Sequence, residues 1–117
     1  MKNIKHHTII VTCQEKAETE NIRNQIVALY KQKMEVKTGH KLITPIFESL
    51  INSFFTFYII PDGSKEGYDA SEDGDILRQE VYSLLLTYKS QHPHIYIAYA
   101  ELSYGGDNEA PKIINAL

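Results

Sequence analysis

Residues 52–64 read Asn52-Ser53-Phe54-Phe55-Thr56-Phe57-Tyr58-Ile59-Ile60-Pro61-Asp62-Gly63-Ser64. From Phe54 to Ile60 every residue except Thr56 is aromatic or aliphatic, the pattern of a strand buried in the middle of a sheet. Asn52-Ser53 is suited to a tight turn before it. Pro61-Asp62-Gly63-Ser64 stops it with strong turn chemistry. The segments on either side then decide which fold this strand belongs to.

Upstream, Leu42 to Leu50 reads as a second strand, with Pro45 pushing it toward a sheet edge. Ile4 to Val11 is a first strand, rich in Ile, Val and Thr. Between the two lie Ile22, Ile26, Leu29 and Tyr30 at helical spacing, with Met34 behind them. Thr12 and Glu15 fit a capping box at the start of that helix. Glu15, Glu18 and Glu20 in its first half, and Lys31, Lys33 and Lys37 at its end, suit the helix dipole. Gly39 is its expected terminator.

Downstream, residues 62–75 form an acidic, glycine-containing loop. A second helix follows, with Leu77, Val81, Leu84, Leu85 and Tyr88 on one face. Pro93 restarts the chain, and His94 to Tyr104 is a long alternating strand that Gly105-Gly106-Asp107 ends. The order β-α-β-β-α-β predicts an α+β, ferredoxin-like sandwich. Four antiparallel strands would lie in spatial order 4-1-3-2, with two helices on one face. Residues 1–117 are expected to form a single domain, with 105–117 a short tail or edge segment.

The 117 residues suffice to bury a core without a disulfide or structural metal. A formal charge of −3, with the basic residues dispersed, argues against nucleic acid as the main partner. One cysteine, Cys13, excludes a disulfide scaffold. The apolar run Ile9 to Val11 is too short for a signal-peptide core, and Ile46 to Ile60 is too short and polar to span a membrane. A cytoplasmic location and no membrane partner are expected.

The strands are apolar on both parities. In the third, Phe55, Phe57 and Ile59 oppose Phe54, Tyr58 and Ile60. In the fourth, Ile95, Ile97 and Tyr99 oppose Tyr96, Ala98, Ala100 and Leu102. Only one set can face the helices, and the pattern does not say which. The other set would leave an apolar patch of the kind that marks an interface or ligand groove, unless the C-terminal tail covers it. A homodimer paired through the open sheet face is expected.

Three groups of residues are candidate sites. Asp69 to Glu80 resembles an EF-hand calcium loop. Asp69, Ser71 and Asp73 take positions one, three and five, Asp75 adds a further carboxylate, Gly74 sits at the sharp turn and Glu80 at the bidentate position. Leu77 departs from that pattern, and no helix can enter the loop. The same acids also suit the first turn of a helix, where they meet its positive end. His92 and His94 approach Cys13 in the proposed topology, a group of metal-binding or nucleophilic type that equally reads as ordinary strand-end histidines. His6 and His7 lie at the opposite end. Tyr58, Tyr96, Tyr99 and Tyr104 could line a pocket, or simply suit a half-buried sheet.

The sequence has no Cys-x-x-Cys loop, no basic residue from Phe54 to Ile60, no arginine from Thr12 to Glu15 and no phosphate-binding glycine fingerprint. The leading expectation is a binding or regulatory module, not an enzyme, with a protein or small-ligand partner and no cofactor. The alternatives are a cofactor-free enzyme of dimeric α/β-barrel type with a His/Tyr-lined cavity, and an inhibitor or immunity-type protein using the acidic loop.

Overall fold

The computed structural model describes residues 4–33, 39–64, 69–106 and 110–117. Met34, Lys37, Asp107 and residues 65–68 of the acidic loop lie outside the described residues, as do the side chains of Asp69 and Ser71. The elements are β1 (Lys5–Cys13), α1 (Lys16–Lys33), a 3-10 turn at Gly39–Leu42, β2 (Phe47–Glu48), β3 (Phe55–Ile59), α2 (Asp69–Gln91), β4 (Ile97–Gly105) and β5 (Lys112–Ala116). They form an antiparallel sheet in the order β2-β3-β1-β4-β5, with two helices. The first four strands keep the expected order. The sheet has five strands rather than four, because the C-terminal segment pairs beside β4.

The buried apolar residues of the three central strands are all odd-numbered: Ile9, Val11 and Cys13 on β1, Phe57 and Ile59 on β3, and Ile97 and Tyr99 on β4. They form one core cluster with Ile22, Ile26 and Tyr30 of α1 and Leu77, Val81, Leu85 and Tyr88 of α2. Those helix positions recur at three- and four-residue spacing, so each helix buries one stripe. No helix among the described residues is long and apolar enough to cross a membrane.

Three local expectations change. Thr12 does not cap α1. It ends up inside β1, where its hydroxyl is 2.8 Å from that of Thr56, and the α1 entry is held by Thr19, whose N–H and hydroxyl both donate to the Glu15 carbonyl. The Leu42–Leu50 segment keeps only two residues of regular strand and a lone bridge from Ile43 to Ile59. Pro45 has no N–H to offer, and Arg23 draws the carbonyl of Thr44 away at 2.7 Å. Helix α2 begins at Asp69, so the acidic loop is shorter than 62–75. Gly74 lies inside the helix, where an added Cβ would come 3.0 Å from the Arg78 guanidinium. The glycine that looks like a loop signal instead makes room for an arginine.

Candidate interaction face and a buried charged cluster

The even-numbered residues of the strands share the face away from the helices. On β1 they are His6, Thr8, Ile10 and Thr12. Thr56 and Tyr58 come from β3, and Ala98, Ala100, Leu102 and Tyr104 from β4. Pairing places Phe47, Ile113 and Ala116 on the same side. None of these residues is buried, and none carries Asp, Glu, Lys or Arg. The C-terminal segment lies beside β4 as an edge strand rather than across this face.

Aromatic rings run along the face. Phe47 meets Tyr58 edge-on at 6.3 Å, Phe54 meets Tyr96 at 5.5 Å, and His6 meets Tyr104 at 5.3 Å. Such pairs stiffen cross-strand neighbours without covering them. At one end the β2–β3 hairpin carries Leu50 and Ile51, which are 103% and 74% exposed.

The helix side holds a charged cluster that the sequence pattern did not disclose. Glu101 and Arg78 are both buried, with Arg78 Nε 3.5 Å from Glu101 Oε2. Arg78 Nη2 also donates to Asp75, one helical turn earlier. On the other side Asn115 Nδ2 donates to Glu101 Oε1 at 3.2 Å. The two residues are direct cross-strand partners, and a β-bulge follows them. Glu101 pairs with Asn115, but Leu102 pairs with Ile113, so Ile114 is the extra residue. His7, Asp75, Gln79, Glu101, Ile114 and Asn115 line a cleft of about 290 Å³ at this end.

Burial beside this cluster pushes two tyrosines up. Tyr30 rises from 10.0 to about 12, chiefly by loss of solvation, with Arg78 opposing and Asp62 and Glu101 adding to the rise. Tyr99 is held higher still, again first by burial and then by Glu101. In the pH interval between the unfolded and folded values the native state retains a proton that the unfolded chain has lost. Stability therefore falls as pH rises from about 10 toward 12. Tyr30 alone should account for about 2–3 kcal/mol of that decline. Urea unfolding at a series of alkaline pH values measures it, and Tyr30→Phe should flatten the curve.

The residues singled out in the sequence are dispersed. Asp69, Ser71, Asp73, Asp75 and Glu80 all fall within α2. Asp73 is exposed, Asp75 is engaged by Arg78, and Glu80 lies 3.5 Å from Lys33 of α1. Cys13 is buried, and burial raises its thiol above the ordinary value, with the neighbouring Thr19 side chain opposing the rise. His92 stacks on Tyr88 at 4.3 Å, and His94 is exposed. Among the described residues no three His, Cys, Asp or Glu side chains gather as a metal would require. The tyrosine set divides: Tyr58, Tyr96 and Tyr104 sit on the open face, Tyr99 in the core. No protein-family model matches the chain, and no curated protein or solved structure does either.

Proposed function

We propose that this chain is a binding or regulatory module that acts as a homodimer, its two copies paired through the open sheet face. The observation that carries this is the composition of that face: apolar, aromatic and threonine side chains, all partly or fully exposed, with no charged residue among them. A charged partner would find no complement there. A second copy would meet an identical uncharged surface under a two-fold axis, with no like-charge repulsion to overcome. Isolated exposed hydrophobics are ordinary, but a contiguous face of them is not.

The test is solution mass by light scattering behind size exclusion, over a concentration series. Twice the chain mass is expected for the wild type, and the chain mass for Leu102→Lys. Leu102 is only half-buried and lies on the face between Thr8 and Ile113, so the lysine can reach solvent in a monomer but would be trapped in a dimer. A wild-type monomer at every concentration would overturn the reading.

A further inference from the structure

Strand β5 sits at the edge of the sheet with little to hold it there. None of its five residues is buried. Ile113 and Ile114 are 68% and 49% exposed, and Leu117 just beyond the strand is 42% exposed. In β1, by contrast, Ile9, Val11 and Cys13 are fully enclosed. Apolar burial is the main force that keeps a strand in a fold, and β5 supplies little of it. What remains is the backbone ladder to β4, which the bulge at Ile114 interrupts.

One side chain of β5 ties it to the buried charges. Asn115 Nδ2 donates to Glu101 Oε1 at 3.2 Å, while the other oxygen of Glu101 faces Arg78. Keeping that ion pair out of water costs both groups solvation. Ile114 and Asn115 form one wall of the cleft that Glu101 lines, so departure of β5 lets water reach the carboxylate. Recovered hydration then offsets part of what the departing strand gives up. Residues 112–117 regain backbone freedom in the same step. Each ladder bond lost is a modest net loss, because water replaces it.

We infer that β5 is a strap that opens as one unit from an otherwise folded domain, with the Asn115 amide as its latch on Glu101. The open form keeps the β2-β3-β1-β4 sheet and both helices. It uncovers together the Glu101 carboxylate and the outer edge of β4, with its row of unpaired N–H and C=O groups. Opening does not require the pairing proposed above.

Native-state hydrogen exchange tests the strap. Tyr99 and Leu117 each donate to the other's carbonyl, at 3.5 and 2.9 Å. N–H direction alternates along a strand, so Tyr99 and Glu101 point toward β5 while Ala98 and Ala100 point toward β1. The amides of Tyr99 and Glu101 should exchange roughly a hundredfold faster than those of Ala98 and Ala100, with a shallower dependence on urea. Asn115→Ala should speed exchange at Tyr99, Glu101 and Leu117 by one common factor, on the order of ten- to a hundredfold. Ala100 and Ala116 are the neighbouring, non-hydrogen-bonded pair, so Ala100→Cys with Ala116→Cys brings two thiols within disulfide reach. The oxidised lock should slow Tyr99 and Glu101 by about tenfold or more, and reductant should reverse it. Equal protection and equal urea slopes at Tyr99 and Ala100 would mean that β5 leaves only when the whole domain unfolds, and would overturn the strap. An Asn115→Ala effect confined to Glu101 would overturn it too, because a unit that opens together must respond together.

Discussion

Glu101→Ala is expected to lower the free energy of unfolding by about 3–5 kcal/mol, the cost of removing one partner from a buried ion pair. The carboxylate is almost wholly enclosed, and so is the guanidinium it faces, with side-chain exposures of 6% and 9%. After the substitution Arg78 retains its ion pair with Asp75, whose side chain is 61% exposed and so offers a weaker, solvent-screened counter-charge. Asn115 loses its acceptor in the same step. A second variant separates the charge from the volume. Glu101→Leu with Arg78→Met fills the space with apolar atoms and leaves no orphaned charge, so it should recover most of the loss. Urea midpoints at constant slope give both numbers. A cost below about 1 kcal/mol for Glu101→Ala would mean that water in the adjoining cleft solvates the arginine.

That cluster also shows where sequence reading stops. The order of the first four strands was legible because each element carries its own signal: the Phe54–Ile60 run, the helical stripes through Ile22 and Leu77, and the Gly105-Gly106 stop. The parity was not, because β3 and β4 are apolar on both sides. Only the position of the helices, a tertiary fact, selects Phe57 and Ile59 over Tyr58 and Ile60. Glu101 shares its parity with Ile97 and Tyr99, so a charge on the core side was implied once the parity was known. Strand β5 was legible only as a short tail or edge segment, for a different reason. Lys112-Ile113-Ile114-Asn115-Ala116 is short, and its bulge breaks the alternation that marks a strand. The hairpin turn was read from Asn52-Ser53, but the exposure of Leu50 and Ile51 beside it is a property of the folded surface alone.

The largest loss from a single core truncation should come from Phe57→Ala. Phe57 heads the fully buried side chains by volume, and it sits opposite Val11 of the central strand, on the side that α1 covers. Truncation removes a ring's worth of transfer free energy and leaves a cavity that the flanking strands cannot collapse without breaking their ladders. Both contributions together place the cost at about 3–5 kcal/mol. The neighbouring phenylalanines make the internal control. Phe55 and Phe54 are only half-buried, so their alanine variants should cost visibly less than Phe57→Ala. Phe54→Ala should act chiefly on the open face, where it loses its edge contact with Tyr96. Equal losses at positions 54 and 57 would mean that the face opposite the helices is as enclosed as the core in solution. At low protein concentration that result would contradict the assignment of the odd-numbered residues to the helix side. If it appeared only at high concentration, it would instead report the burial of Phe54 against a second copy. The dependence of the Phe54→Ala loss on protein concentration therefore measures, in one series, both which parity faces the helices and whether the open face is paired.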